Sequence, residues 1–318
     1  MSPEISVVIA TRDRPEQLDR ALRSLVLQTF DDLEIVLVND GGADTSAVTA
    51  AYADRLEIRT LEFPDNRGPS AARNAAAAIA RGRYVAFLDD DDVFLPDHLA
   101  RAVGPLRAGT ADFVYTTALV SRVPIEPAAD LCPEDLAAAA PAAFDYEFDH
   151  EFLRVLNYIP PVAVVCRNWN GTGAAFPEER RAGEDWDFWL VLIRRHGYRA
   201  VHVDAPTAVY HRLPRHGASS DPLGDASRML KVFHESYLDM CESRWPVPAD
   251  TPSAQARAHV LRAYDSAFSR LDGGKPLPDL WYEHLVRLLY HTYAVGGRNA
   301  HQTTDIADIA DDIRSIFD

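Results

Sequence analysis

The stretch YVAFLDDDD, residues 84–92, contains the pattern that decides the fold. Tyr84–Leu88 is a short, continuous apolar run, which is typical of a strand buried on both faces of a sheet. The four adjacent aspartates Asp89–Asp92 follow it directly. Ligands gather at the carboxyl ends of parallel strands, so these carboxylates stand where a substrate is expected.

Two interpretations of the acidic run are open on these residues alone. Adjacent carboxylates repel one another, and a divalent cation would relieve that repulsion. Carboxylate oxygens suit hard ions such as Mg²⁺ or Mn²⁺, which keep positions open for substrate phosphates. The alternative is a solvated acidic loop in which Asp92 caps the helix that follows.

Strands alternate with helices on both sides of the acidic run. Further buried strands are predicted at Ile5–Ala10, Leu33–Val38, Leu56–Leu61 and Phe113–Val120. Helices are predicted from Pro15 onward, at Asp44–Ala53, at Ser70–Ala80 and from about Pro96. This alternation indicates an α/β fold with a mostly parallel sheet flanked by helices.

The pattern changes after the fifth long strand. Residues Val123–Phe148 are predicted to form loop and short helix. Order is predicted to return with Val162–Cys166, a helix over Glu184–Arg195 and a strand over Arg199–Val203. The remainder favours a helical C-terminal extension, with helices predicted at Met229–Cys241, Ala254–Leu271 and Leu280–Tyr293.

Composition excludes several classes of partner. The 318 residues carry a formal net charge of −16, which argues against a nucleic acid or an anionic membrane surface as a partner. No apolar run approaches the length of a membrane span, and the N-terminus lacks the features of a signal peptide. The three cysteines are far apart and odd in number, so we expect a reduced, cytoplasmic compartment.

Three stretches resemble the nucleotide-binding half of the family 2 inverting glycosyltransferases, which have the GT-A fold, a Rossmann-like sheet. They are SVVIATRDRPEQLDRALRSLVLQTFDDLEIVLVNDGG (6–42), NRGPSAARNAA (66–76) and YVAFLDDDDVFLPDHL (84–99). In that family the aspartates after the fourth strand form a D-x-D motif. The resemblance therefore implies that Asp91 ligates a metal bound to the donor diphosphate, and that Asp89 and Asp90 approach the ribose or the sugar.

The same resemblance implies three further donor contacts. Asp40 would accept hydrogen bonds from the nucleobase, although a turn aspartate is the simpler reading of Asn-Asp-Gly-Gly. Thr11 would contact the nucleotide, or would be an ordinary polar residue at a strand end. Arg73 would lie beside the nucleotide and the acidic motif, where its fixed charge holds carboxylate or phosphate; its alternative is an exposed arginine on a helix.

A second block, GTGAAFPEERRAGEDWDFWLVLIRRHG (171–197), resembles the acceptor half of that family. The resemblance makes Asp185 the general base that takes the proton from the acceptor hydroxyl. The alternative is an acidic residue favoured at a helix N-terminus without a catalytic task. His211 is a candidate for the metal shell or the diphosphate. His202 and His216 are weaker candidates for the same role.

Together these features predict a metal-dependent inverting transferase that moves one sugar from a UDP, GDP or dTDP sugar to an acceptor hydroxyl. The predicted division is 1–121 for the donor half, 122–220 for the acceptor and catalytic half, and 221–318 for the helical region, which could also form a homodimer contact. A non-catalytic nucleotide-sugar-binding module is the alternative. A Rossmann oxidoreductase is disfavoured because no glycine fingerprint follows the first strand, and a sugar nucleotidyltransferase because an early glycine-rich, lysine-bearing loop is missing.

Overall fold

A nine-stranded sheet organises the N-terminal two thirds of the chain in the computed structural model, which describes residues 2–213, 222–295 and 306–317. Its first four strands run parallel in the order β3-β2-β1-β4. They are β1 (Ile5–Thr11), β2 (Leu33–Asp40), β3 (Ile58–Phe63) and β4 (Tyr84–Phe87). The continuous apolar runs of β1, β2 and β4 are buried as predicted, because helices cover a parallel sheet on both faces.

Three helices connect these strands: α1 (Pro15–Val26), α2 (Ser46–Ala50) and α3 (Pro69–Ile79). Helix α1 begins with proline, whose missing N–H is tolerated there, and buries an apolar stripe that includes Leu18, Leu22 and Leu25. Helix α3 packs on β1 and β2 through alanines, whose small side chains let the helix approach the sheet closely.

The register brings the carboxyl ends of these strands to one edge of the sheet. Thr11 at the end of β1 is opposite Asn39, and Val8 of β1 is opposite Phe87 of β4. The residues that follow the strands, Asp40 among them, therefore meet at this edge, as expected for a parallel sheet.

The second half of the sheet mixes parallel and antiparallel pairs. It contains β5 (Val93–Phe94), β6 (Phe113–Ser121), β7 (Ala142–Phe144), β8 (Val164–Arg167) and β9 (Ala200–His211), with α4 (His98–Arg107) between β5 and β6. Strand β8 runs antiparallel between β4 and β6, and β9 runs parallel to β6. The predicted fold class, an α/β sheet of GT-A type flanked by helices, is confirmed.

Strand β9 is longer than the predicted Arg199–Val203 because it continues through an irregularity in its pairing with β6. The register shifts on either side of Thr117, which is opposite Pro206, and regular pairing resumes afterwards. A proline has no N–H for a regular ladder, so a bulge is where a strand accommodates it. The short strand β5 then pairs antiparallel with β9, with Val93 opposite Val209, and this register brings His211 to the acidic run.

The described residues divide into two compact units. The first comprises those within Met1–Glu147, Ile159–Glu179 and Phe188–Pro214. The second comprises those within Phe148–Tyr158, Arg180–Asp187 and Arg215–Asp318. The second unit contains the helices α6 (Pro222–Asp239), α7 (Pro252–Asp272), α8 (Trp281–Leu289) and α9 (Ile306–Phe317), of which α7 and α8 both pack against α9.

The predicted helix at Glu184–Arg195 is confirmed as α5 (Glu184–Leu190), which continues into a π-helical turn over Val191–Arg195. Two sequence interpretations need correction, and three elements were missed. The helix predicted over Asp44–Ala53 is only the five-residue α2. The short strands β5 and β7 and the helix α9 were not predicted. Asp92 does not cap the next helix, since α4 begins at His98.

No helix among the described residues is both long and apolar enough to span a membrane.

Candidate functional site

The acidic run after β4 forms a tight turn in which the N–H of Asp92 donates to the carbonyl of Asp89. Its four carboxylates differ in exposure and in partner. The side chains of Asp90 and Asp92 are 5% and 1% exposed, whereas those of Asp89 and Asp91 are 27% and 36% exposed. Asp89 and Asp91 are thus the two members that face solvent, which matches the spacing of a D-x-D motif.

Asp90 is fixed from β1. The Thr11 hydroxyl donates a 2.7 Å hydrogen bond to Oδ2, and Arg14 Nη1 donates a 3.0 Å bond to Oδ1. Burial nevertheless raises the pKa of Asp90 to about 6, because desolvation outweighs the bonds from Thr11 and Arg14. Thr11 and Asp90, both predicted site residues, are therefore in direct contact.

Asp91 is the most accessible of the four carboxylates. Its Oδ2 accepts a 3.0 Å bond from the same Arg14 Nη1. Desolvation raises the pKa of Asp91, the negative charge of Asp89 raises it further, and Arg14 opposes both effects. A positive charge at this position would therefore be favourable, and this agrees with the donor chemistry of a hard divalent cation.

Arg73 supports the outer side of the motif. Its Nη2 donates a 2.7 Å hydrogen bond to Asp89 Oδ1, and its guanidinium lies 5.6 Å from the centre of the Phe176 ring. The arginine side chain is only 6% exposed. Arg73 thus lies beside the acidic motif as predicted, and the alternative of an exposed helix arginine is wrong.

His211 and Asp92 hold the other end of the turn. The N–H of His211 donates to Asp92 Oδ1 at 2.7 Å. The ring Nδ1 lies 2.6 Å from the carbonyl oxygen of Asp91, and the ring Nε2 lies 3.0 Å from the backbone nitrogen of Ile125. A carbonyl can only accept and an N–H can only donate, so the ring is the neutral Nδ1–H tautomer.

Burial lowers the pKa of His211 to about 4, which agrees with a neutral ring. In this arrangement Nε2 already accepts from Ile125 and Nδ1 carries a proton. A metal-ligating role for His211 stays a prediction, and it would require the Ile125 hydrogen bond to break. His202 lies elsewhere in the sheet, stacked on Tyr115, and His216 lies outside the described residues.

Asp40 is buried and holds the loop that leads into α3. The backbone N–H of Arg67 donates to Oδ1 at 2.7 Å, and that of Gly68 donates to Oδ2 at 2.8 Å. The turn after Asp40 fits closely against this loop, because a Cβ on Gly41 would lie 2.5 Å from the carbonyl carbon of Asp65. Each carboxylate oxygen retains a second lone pair, so the nucleobase contact of Asp40 stays a prediction.

Arg14 is the site residue that the sequence reasoning missed. It is bonded to both Asp90 and Asp91 and is about half exposed. The sequence did contain a signal for Arg14, which stands three residues beyond the end of β1, near the edge where the acidic run is expected. In a chain with 32 basic and 48 acidic residues, a basic residue at that edge is a candidate partner for the aspartates.

Asp185 lies in the second unit, on the first turn of α5. Its Oδ2 accepts a 2.8 Å hydrogen bond from Asn157 Nδ2, and its Oδ1 accepts one of 2.7 Å from the N–H of Trp186. The side chain is partly exposed, so the carboxylate is both oriented and accessible.

Two residues further along α5, Asp187 is fully buried. Trp245 Nε1 donates to it at 2.7 Å, Arg244 Nε donates at 3.0 Å, and Arg180 Nε lies 3.6 Å away. These contacts compensate a buried charge and fix the first turn of the helix that carries Asp185.

Within the described ranges, no group of three or more histidine, cysteine or acidic side chains is arranged as a ready-made metal centre.

The chain is similar in sequence to known glycosyltransferases. The profile "Glycosyl transferase family 2" matches residues 6–127. The "Uncharacterized glycosyltransferase YwdF" of Bacillus subtilis is 31% identical over 240 residues, which are 74% of this chain and 82% of that protein. The "Putative teichuronic acid biosynthesis glycosyltransferase TuaG" of the same organism is 26% identical over 76% of this chain and 92% of that protein.

Solved structures share the fold at lower identity. Staphylococcus aureus TarS 1–349 in complex with UDP-GlcNAc superimposes with a TM-score of 0.54 at 17% identity, covering 95% of this chain and 93% of that one. The mannosyltransferase PcManGT from Pyrobaculum calidifontis, in complex with GDP-Man and Mn²⁺, gives 0.55 at 20% identity, covering 99% and 87%.

The sheet, with its acidic run at the carboxyl edge, defines a GT-A glycosyltransferase fold. The chain belongs to glycosyltransferase family 2 and is a transferase.

Proposed function

We propose that the chain transfers one sugar from a nucleoside-diphosphate sugar to an acceptor hydroxyl with inversion at the anomeric carbon. The observation that carries this proposal is the acidic run held open at the carboxyl edge of the parallel strands by Thr11, Arg14 and Arg73. Arg14 and Arg73 supply local positive charge, which an anionic diphosphate needs in a chain of net charge −16.

The donor class is supported by the solved structures of similar fold. TarS is described in complex with UDP and with UDP-GlcNAc, and PcManGT with GDP-Man. We propose that Thr11, Asp40 and Arg73 bind the nucleotide, with Asp89 and Asp90 close to the ribose or the sugar. The base and the sugar are left open, so UDP, GDP and dTDP donors are all to be tested.

We further propose that Asp91 binds Mn²⁺ or Mg²⁺ together with the donor diphosphate. Its carboxylate is the most exposed of the four and its pKa is raised, so a cation there would be stabilised by charge and by a hard oxygen ligand. Such a cation, when bound, stabilises negative charge on the departing diphosphate. PcManGT, which shares the fold, is described in complex with Mn²⁺.

Asp185 is proposed as the general base. As the acceptor oxygen forms its bond to the anomeric carbon, the bond from that carbon to the diphosphate oxygen breaks and the hydroxyl proton passes to Asp185. A single displacement of this kind inverts the anomeric configuration. The hydrogen bonds from Asn157 and Trp186 to Asp185 orient its carboxylate for that role.

The functional division follows the same scheme. Residues 1–121 are proposed to bind the donor and residues 122–220 to contribute the acceptor side and the base.

A thermal-shift panel tests the proposal directly. UDP, GDP, dTDP and their sugars are added with and without Mn²⁺, because a ligand that binds only the native state raises its melting temperature. We expect one nucleotide series to stabilise the protein, and to do so more strongly with Mn²⁺. The sugar nucleotide that gives the largest shift is then tested for release of its nucleoside diphosphate. The absence of any nucleotide response would contradict the proposal, and binding without turnover would favour a non-catalytic module.

A further inference from the structure

The segment Leu153–Asn157 of the second unit is held along its backbone by side chains from several helices. Trp186 Nε1 of α5 donates to the Leu153 carbonyl at 2.5 Å. Arg257 Nη2 of α7 donates to the Arg154 carbonyl at 2.6 Å. A loop whose successive carbonyls accept hydrogen bonds from different helices has little freedom to move, because any displacement would break several of these bonds.

Two tyrosines continue the series. The Tyr237 hydroxyl of α6 donates to the Val155 carbonyl at 3.0 Å, and the Tyr282 hydroxyl of α8 donates to the Asn157 carbonyl at 2.7 Å. The C-terminal helices α6, α7 and α8 thus each contribute one donating side chain to a short stretch of backbone. These hydrogen bonds restrain the loop more than helix packing alone would, which suggests that its position matters for function.

The loop ends at the side chain that contacts the candidate base. Asn157 Nδ2 donates a 2.8 Å hydrogen bond to Asp185 Oδ2. Because the Asn157 carbonyl is held by Tyr282 while its side chain holds Asp185, the hydrogen-bond chain runs from α8 through Asn157 to Asp185. All three residues belong to the same compact unit.

We propose that Asn157 is the positioning residue of Asp185 and that Tyr282, through the Asn157 carbonyl, sets the position of Asn157. This inference rests on the proposed function of Asp185 as the base. It gives the helical C-terminal region a task in the reaction, namely to keep the base in one orientation, and it needs no contact between that region and either substrate. A displacement of about 1 Å in a reacting group can lower a rate by about 100-fold, so a loop built to prevent it has a kinetic effect.

Three full-length variants test the proposal. Asn157→Ala removes the bond to Asp185, and Tyr282→Phe removes only the hydroxyl that holds Asn157. Tyr115→Phe is the matched control, since it removes an equivalent hydroxyl bond to a backbone carbonyl, that of Tyr146, in the first unit. The measurement is release of nucleoside diphosphate from the sugar nucleotide chosen by the thermal-shift panel, with water as the acceptor.

We expect Asn157→Ala to lower kcat by about tenfold or more, with the KM for the donor and the melting temperature close to those of the parent. Tyr282→Phe should lower kcat less, and Tyr115→Phe should leave it unchanged. In an Asp185→Asn background, Asn157→Ala should have little further effect, because a residue that acts only through Asp185 has nothing left to position.

A crystal structure of Asn157→Ala gives a readout that does not depend on turnover. The Asp185 carboxylate is expected to rotate away from the orientation seen in the parent. An unchanged carboxylate together with a kcat within twofold of the parent would overturn the proposal. If Asp185→Asn retains full turnover, the assignment of the base fails instead. If only Asp185→Asn loses turnover, the base stands and the role of Asn157 is refuted.

Discussion

The Thr11 hydroxyl lies 2.7 Å from Asp90 Oδ2 and joins the end of β1 to the acidic run after β4. The two residues are separated by 79 positions in sequence but lie at the ends of neighbouring parallel strands. The contact fixes Asp90 against the end of β1, while Asp89 and Asp91 stay partly exposed to solvent. The metal-dependent part of donor binding should therefore depend most on Asp91, the more exposed of these two carboxylates.

The Asp91→Asn variant should lose the Mn²⁺-dependent part of donor binding. The substitution keeps the size of the side chain but removes its charge, so a cation is no longer held. At a donor concentration of about 100 times Kd, the parent gains about 2.7 kcal/mol of stability from the ligand, and the variant should lose the metal-dependent share. Without ligand, the variant should melt no lower than the parent, since the raised pKa of Asp91 shows that its ionised form is unfavourable there. Asp54→Asn, at an exposed position of the same unit, is the control.

The Asp185→Asn variant should bind the donor like the parent and lose transfer. An amide of the same shape cannot accept the hydroxyl proton, and removal of a general base lowers rates by about 100- to 10,000-fold. Donor binding is measured by thermal shift and transfer by release of nucleoside diphosphate. Glu179→Gln, an exposed acidic position, serves as the control. A parental rate in Asp185→Asn would exclude this residue as the base.

His98 should make stability depend on pH in the acidic range. The ring is fully buried, stacks on Phe94 with centroids 3.9 Å apart, and lies 3.0 Å from the Thr207 hydroxyl. Burial lowers the pKa of His98 from 6.5 to about 3. Between those values the unfolded chain binds more protons, so the free energy of unfolding falls as the pH is lowered below about 6.5, by about 1.4 kcal/mol per unit at most.

His98→Gln should flatten that dependence relative to the parent between pH 6.5 and pH 4. His284→Gln, at an exposed histidine, should follow the parental profile. Urea unfolding at a series of pH values measures the difference. Parallel profiles for His98→Gln and the parent would contradict the assigned effect.

Removal of Asp187 should destabilise the second unit strongly. Asp187→Ala leaves the buried guanidinium of Arg180 without one of its ion-pair partners and the indole N–H of Trp245 without its acceptor. Breaking one side of a buried ion pair costs about 3–5 kcal/mol. Asp239→Ala removes a half-exposed partner of the same Arg180 and should cost less than about 1 kcal/mol. Equal losses in the two variants, measured by denaturant unfolding, would contradict this expectation.

Gly41→Ala should lower the free energy of unfolding by more than the left-handed backbone conformation of Gly41 alone predicts. Gly41 has a φ of +68°, and an added Cβ would lie 2.5 Å from the Asp65 carbonyl carbon. Gly109 has a nearly identical φ of +67° but no atom within 4 Å of such a Cβ. Gly109→Ala should therefore lower the free energy of unfolding only by the cost of a left-handed alanine, about 1–2 kcal/mol. Gly41→Ala should lower it further and should also weaken nucleotide binding. Similar losses in both variants would show that the Asp65 loop yields freely.

The elements predicted correctly are those whose apolar pattern is contained in a short stretch of sequence. Strand β1 is a continuous apolar run, and helix α1 combines a helical apolar period with a starting proline. Strand β5 has only two residues and exists because β9 pairs with it. The full length of β9 was not predicted because a proline normally ends a strand. Strand β9 continues past Pro206 because its pairing with β6 is irregular at Thr117.

The candidate site divides in the same way. The aspartates of the acidic run were visible because they are adjacent in sequence and follow a buried strand. Their partners were not, because the contact of Arg14 with Asp90 spans 76 positions. Similarly, Asn157 is 28 positions from Asp185 in a stretch with no motif, so only the folded chain shows that they meet.

The pairing of β6 with β9 has a consequence for how the molecule folds. Strands β1 to β4 pair within the first 87 residues, whereas Phe113 pairs with Ala200 and Ser121 with His211. Closing so long a loop is entropically unfavourable until β9 has its partner, and contacts of high sequence separation form slowly. We expect strands β1 to β4 to become ordered first. The hydrogen bonds between His211 and the acidic turn should form last. A chain captured early in refolding would have strands β1 to β4 paired, while His211 would not yet be bonded to Asp91 and Asp92.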